Sequence, residues 1–207
     1  MVDVIAIDGP AGAGKGTIAK FLSQKLKFPY IDTGLFYRAL AFKALSAHVP
    51  YDNEGMLIDL AESVCVDDLH NDLLRDESVA SVASQTSVHL RIREILTCKM
   101  RSEALRIAEG HGGVILDGRD VATVIFPNAT TKLFITADES TREQRRTQEM
   151  EHKGLIVKSG ALSERDKRDQ SRKASPLKIA EDAHIIDTTN LSIEEACAKA
   201  LSYIERK

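Results

Sequence analysis

One segment restricts this chain more than any other: Gly9-Pro-Ala-Gly-Ala-Gly-Lys-Gly-Thr17. It follows the apolar, β-branched run VDVIAID and opens onto GTIAKFLSQKLKF, where Ile18, Phe21, Leu22 and Leu26 recur at helical spacing. Strand, glycine-rich turn and helix form the context in which such a turn has a mechanism. Gly9, Gly12, Gly14 and Gly16, with Pro10, Ala11 and Ala13 between them, let the backbone curl so that its N–H groups face phosphate oxygens, and the helix N-terminus adds its own donors and a positive dipole end. Lys15 is placed to reach β- and γ-phosphates and the Thr17 hydroxyl to face magnesium. The turn predicts a triphosphate cradle. It does not distinguish a switch, a motor or a phosphotransferase.

The remaining pattern alternates strands with helices, which predicts a parallel sheet covered on both faces. PYIDTG reads as a second strand and turn, followed by helices through LFYRALAFKALSA and NEGMLIDLAESV. Residues 65–87 show no clean period. From Val88 to Glu109, Ile92, Ile95, Leu96, Met100, Ala104 and Ile107 mark a long amphipathic helix. GGVILDGRD and TKLFITA read as strands, a charged helix begins near Asp138, and a basic helix follows a glycine-containing loop. AHIIDTT is a last strand, and LSIEEACAKALSYI a closing helix with Ser192 and Glu195 spaced as a capping box.

At 207 residues the chain suits one α/β domain with an insertion or lid. Its formal charge of −3 is unevenly placed: between Arg142 and Lys178 there are 11 Lys/Arg against 6 Asp/Glu, elsewhere 17 against 25. Cys65, Cys98 and Cys197 are odd in number and lack CxxC spacing, so the expectation is free, mostly buried thiols in a reducing cytosol. The N-terminus does not read as a signal peptide, and no apolar run approaches the roughly 18 residues of a spanning helix.

Three constellations bear on what receives a phosphoryl group. In DTGLFYR, Arg38 lies one turn into a helix after the second strand, near the crevice where parallel strands end; the plainer alternative is an exposed helix arginine. In LDGRD, Asp117 is placed to hold a magnesium-bound water and Arg119 to fork a phosphate, against the alternative of an Asp-Gly turn with a local ion pair. In TREQRR and ERDKRDQSR, Arg142, Arg145, Arg146, Arg165, Arg168 and Arg172 flank a loop. A charge run is usually a solvated face, yet phosphoryl transfer needs cations around the equatorial oxygens.

Together IAIDGPAGAGKGTIAK, YIDTGLFYRALA, VASQTSVHLRIRE, DGRDVATVIFPNA, KLFITA and RDKRDQSRKASPLKIAEDAHIIDTTNLSIEEA resemble, in order and across nearly the whole chain, the bacterial cytidylate kinases. The resemblance implies a P-loop kinase fold with a reduced acceptor-binding insertion and a short basic lid. It divides one domain into a core (1–34 and 111–207), an acceptor region (about 35–110) and a lid (about 150–165). It implies transfer from ATP, with magnesium, to CMP or dCMP. Lys15, Arg119, Arg142 and Arg146 are then catalytic, with Arg142 and Arg146 on the ATP phosphates. Arg38, Arg119 and Arg172 hold the acceptor phosphate, Arg165 and Asp169 its sugar, and Ser84, Arg93 and Asp120 the cytosine ring; Thr33 and Tyr37 complete the acceptor site. The expected partners are small nucleotides alone, with no nucleic acid or membrane, and the protein is expected to be a cytoplasmic monomer.

The chain departs from that family at VCVDDLHNDLLRDESV, which replaces a longer insertion, and in a shortened loop between Gly154 and Glu164. Ala122 replaces a frequent glycine, and VHLRIR lacks an aromatic-proline pair. Two alternatives stay open at this point: a kinase for another small acceptor such as UMP, AMP or a sugar, and a nucleotide-gated regulator whose basic helices grip nucleic acid.

Overall fold

The computed structural model describes residues 2–152, 161–172 and 174–205. The central strand is β1 (Asp3–Asp8), whose side chains are buried from Val4 onward. The run is apolar without alternation because both sheet faces are covered: Val4 and Ala6 enter one core, Ile5 and Ile7 the other.

β1 pairs in parallel with β3 (Gly113–Gly118), from Asp3 opposite Gly113 to Asp8 opposite Gly118. Its other neighbour is β4 (Thr131–Thr136). The edges are β2 (Tyr30–Asp32) and β5 (His184–Asp187), giving the order β2-β3-β1-β4-β5. The C-terminal ends of β1, β2 and β3 therefore meet on one rim, where ligands bind in open parallel sheets.

On one face, α1 (Lys15–Leu26) and α8 (Ile193–Ile204) pack Ile18, Leu22, Cys197 and Ala200 against Ile7, Ile115 and Ile135. The capping box at the start of α8 is formed: Ser192 Oγ accepts from Glu195 N at 3.1 Å, and Glu195 accepts from Ser192 N at 2.8 Å. On the other face, α2 (Gly34–Ser46), α3 (Glu54–Ser63) and α5 (Leu90–Ala108) contribute Phe36, Leu40, Leu57, Ile92, Leu96 and Met100. α6 (Glu139–His152) and α7 (Ala161–Ser171) are the two charged, arginine-bearing helices. The intervening residues of the expected lid, 153–160, lie outside the described ones.

Three readings change. Residues 65–87 contain two 3₁₀ turns, Asp67–His70 and Asp72–Arg75, and a full helix, α4 (Glu77–Thr86), burying Val79, Val82 and Ala83. α5 begins at Leu90 rather than Val88, after His89 in extended conformation. Of the three cysteines only Cys197 is buried; Cys98 sits on the solvent side of α5 and Cys65 follows α3. An amphipathic helix buries one face, and Cys98 lies away from the stripe containing Leu96 and Met100.

Candidate active site

The turn after β1 is shaped by neighbours that take its carbonyls. Gly9 and Gly12 adopt φ of 148° and 76°. A side chain at Gly9 would collide with the Ile135 carbonyl, and a Cβ at Gly12 would stand 2.9 Å from the Arg142 carbonyl. Lys15 Nζ donates to Pro10 O at 2.7 Å, Arg142 Nη1 to Ala11 O at 3.1 Å, and Thr188 Oγ1 to Ala13 O at 3.1 Å. With those carbonyls drawn back, the loop can present N–H groups toward the cleft.

Arg142 is buried against this loop. Its guanidinium also donates to Ala137 O at 3.0 Å and to the buried carboxylate of Asp166, which accepts from Ala11 N at 3.4 Å. Arg145 donates to Thr188 Oγ1 and O at 2.9 and 2.7 Å. Arg146 turns to the cleft and pairs with Glu149 and with Glu77 at the start of α4. The solvated-face alternative fails for Asp166 and Asp169, which are both buried, and holds for Glu149, Glu151 and Glu164, which are exposed.

The cleft encloses about 800 Å³ and runs from Gly12–Thr17 past Arg38, Ser84, Arg93 and Arg119 to Arg172. Arg75 and Arg145, which the acceptor assignments did not include, line it too. In its lining Arg93 Nη2 lies 2.5 Å from Asp120 Oδ2, and Arg93 Nη1 donates to Ser87 O at 3.1 Å. The Arg93 guanidinium carbon stands 5.2 Å from the centre of the Tyr37 ring. Burial alone would lower the Arg93 pKa, but Tyr37 and Asp120 raise it above its ordinary value. Burial pushes the Tyr37 hydroxyl up to about 12.

Buried polar atoms here lack partners among the described residues: Ser84 Oγ, Tyr37 OH, Arg93 Nε and Arg172 Nε. Unpaired buried donors cost about 1–3 kcal/mol each, so their gathering in one cleft marks places a ligand fills. Asp169 joins two further cations, accepting from Arg119 Nε at 3.0 Å and standing 3.6 Å from Arg172 Nη1. Arg38 Nη1 donates to Leu74 O at 2.8 Å, and burial lowers its pKa. The side chain of Arg165 lies outside the described residues.

Asp117 ends β3 beside Asp32, with Tyr30 OH donating to its Oδ1 at 3.1 Å and Thr33 Oγ1 to its backbone carbonyl at 2.7 Å. Burial and the Asp32 carboxylate push it up to about 7. Thr17 is exposed at the first turn of α1. Among the described residues no three His, Cys, Asp or Glu side chains gather to hold a metal. The donor set, one hydroxyl and one carboxylate beside a phosphate loop, suits a magnesium ion that keeps waters and arrives on nucleotide phosphates.

Sequence reasoning passed over Asp8, Asp166 and Thr188. Asp8 was legible as a carboxylate ending an apolar run; Asp166 and Thr188 act through partners distant in sequence. No described helix is long and apolar enough to cross a membrane.

A family model described as cytidylate kinase matches residues 5–206. A cytidylate kinase of Lysinibacillus sphaericus is 39% identical, covering 98% of this chain and 96% of its own. One of Vibrio cholerae is 40% identical over 99% and 96%. The first alignment runs over 221 positions against 207 residues here, in keeping with shortened segments in this chain. Among solved structures, a sugar kinase from Janibacter has a TM-score of 0.57 at 12% identity, covering 99% of this chain and 95% of its own. A gluconokinase from Sinorhizobium meliloti gives 0.56 at 13%, covering 99% and 92%. Those likenesses establish a shared fold; the whole-length matches establish more, and the chain belongs to the cytidylate kinase family.

Proposed function

We propose that the cleft transfers the γ-phosphoryl group of ATP to the 5′-phosphate of CMP or dCMP, giving ADP and CDP or dCDP. Membership of the family supports the activity. The observation in this structure that carries the choice of base is the buried Arg93–Asp120 pair beside the unpartnered Ser84 hydroxyl. Cytosine carries an amino donor at its 4-position and acceptors at N3 and O2. Asp120 accepts from the amino group, while Arg93 and Ser84 donate to the ring. Uracil would turn a carbonyl to Asp120 and an N–H to Arg93. This complementarity favours the reading over UMP, AMP or a sugar.

The nucleophile is an acceptor phosphate oxygen that is already anionic, so no general base is required. As its bond to the γ-phosphorus forms, the bond to the β-bridging oxygen breaks and ADP leaves. Lys15 and the loop N–H groups hold the donor phosphates, and Arg146 faces them from α6. Arg38, Arg119 and Arg172 hold the acceptor phosphate, while Asp169 and Arg165 hold its sugar. Thr33 and Tyr37 support the acceptor wall. Arg142 acts through the loop it grips rather than as a free cation in the cleft. Thr17, and Asp117 through water, would hold magnesium, which supplies charge neutralisation on the transferring group. The catalytic contribution of the chain is alignment and neutralisation.

We further propose that core, acceptor region and lid act as one domain, in a monomer. Free thiols support a reducing cytoplasmic setting. The test is ADP release with ATP and magnesium in the presence of CMP, dCMP, UMP, AMP or GMP. Turnover confined to CMP and dCMP is expected; equal turnover across the panel would overturn the reading.

A further inference from the structure

β1 ends on a carboxylate whose hydrogen bonds go to the far side of the cleft rather than to the phosphate loop, although the Lys15 charge lies near enough to act on it. Asp8 is 1% exposed, and its two oxygens accept from two successive backbone N–H groups, Val121 at 2.9 Å and Ala122 at 2.7 Å. These are the first amides of the π-helical turn Val121–Ile125. Such a turn leaves its leading N–H groups without partners of their own, and the preceding residue normally caps them with its side chain. That residue is Asp120, a good capping type, yet its side chain makes no capping bond. Its carboxylate lies on Arg93 instead. Asp8, 113 residues away from Val121 in sequence, has taken over the cap.

The backbone of the turn is otherwise well tied. Val124 N and Ile125 N both donate to Asp120 O, at 2.9 and 3.1 Å, and Phe126 N donates to Val121 O at 2.7 Å. The amides facing Asp8 decide where the Asp120 side chain can go. With Asp8 in place they are occupied, and Asp120 is released toward the cleft. Without it, two buried amides compete with Arg93 and the base for the same carboxylate. Asp8 also immediately precedes Gly9, so one residue touches both the donor loop and the acceptor wall.

We propose that Asp8 is a positioning residue for base selection: by capping the 121–125 turn in place of Asp120, it frees the Asp120 carboxylate to read the acceptor's ring. The proposal rests on the assignment of Asp120 as a base reader. Asp8 touches neither substrate, so its loss should change the acceptor side more than the donor side.

The experiment compares Asp8→Asn and Asp120→Ala with the wild type, measuring kcat and KM for CMP, UMP and ATP after confirming the fold by circular dichroism. The amide of Asp8→Asn accepts from one N–H and turns an NH₂ group toward the other. The CMP-over-UMP ratio of kcat/KM is expected to fall about tenfold or more, mainly through a higher KM for CMP, with the KM for ATP within about threefold of wild type. Asp8→Ser, with a single acceptor oxygen, is the second variant should Asp8→Asn not fold. A folded Asp8 variant that loses CMP and UMP turnover by the same factor would overturn the proposal, because a merely structural role predicts that. If Asp120→Ala itself stays fully selective, the base-reading assignment falls. If Asp120→Ala loses selectivity while the Asp8 variants keep it, only the role of Asp8 falls.

Discussion

Arg93 and Asp120 form a 2.5 Å ion pair with side chains 3% and 5% exposed, in the wall of the cleft that the phosphate loop also lines. A buried charge pair is costly to form and costlier to break. Here it places an acceptor and a set of donors side by side at fixed spacing, which is what recognition of a cytosine edge requires.

Asp120→Ala is expected to erode the choice of CMP over UMP by about tenfold to a hundredfold, the equivalent of one mispaired buried group at about 1–3 kcal/mol. Parallel kcat/KM determinations with the two acceptors check this. A variant with wild-type selectivity would mean the base is read elsewhere.

Lys15→Met should lower kcat on the order of a hundredfold or more while the protein stays folded, because a cation aimed at the transferring group is lost. Lys15 Nζ also holds Pro10 O, so the KM for ATP should rise as well. Steady-state kinetics beside a thermal melt separate the two effects, and an unchanged kcat would remove Lys15 from the mechanism.

Asp166→Ala leaves the Arg142 guanidinium buried without its counter-charge. Breaking such a pair costs about 3 kcal/mol, which for a chain of this size lowers Tm by roughly 6–12 °C. Because Asp166 also receives Ala11 N, ATP binding should weaken more than CMP binding. Calorimetric titration with each nucleotide tests that asymmetry; equal weakening would show a loss of stability alone.

Asp117 carries a pH dependence of fixed sign. Its carboxyl is pushed from 3.8 to about 7 in the folded chain, first by burial and then by Asp32. Between those values the folded state keeps a proton that the unfolded chain has released. The stability contributed by the protonated form is therefore present below about pH 4 and lost as pH rises through about 7. Relative to Asp117→Asn, which does not ionise, the wild type should lose Tm between about pH 4 and 7. Melting curves that run parallel for the two proteins would contradict this.

The sheet, the phosphate loop and the long helix α5 were legible because each has a strong local period: β-branched runs, glycines between strand and helix, and a stripe from Ile92 to Ala104. Helix α4 was not. Its sequence, ESVASVASQT, mixes serines with β-branched valines, and its helicity depends on packing Val79, Val82 and Ala83 against its neighbours. VATVI is as rich in β-branched residues, yet it forms a π-helical turn whose first two amides donate to Asp8 at the end of β1.

The arginines were legible as a class and not as individuals. Arg142, Arg145 and Arg146 lie within one helix, and their different environments come from Asp166, Thr188 and Glu77, none of which is a sequence neighbour. Spacing along the chain locates a charge; only folding decides whether it faces the loop or the cleft.

The grip on the phosphate loop has a consequence for synthesis. Domains emerge from the ribosome N-terminus first, so the glycine-rich segment is made well before the residues that grip it. The groups that draw back its carbonyls at Ala11 and Ala13 belong to Arg142 and Thr188. A nascent chain therefore carries the nucleotide-binding sequence before it has the means to shape it, and nucleotide can stabilise the fold only once Thr188 has been made.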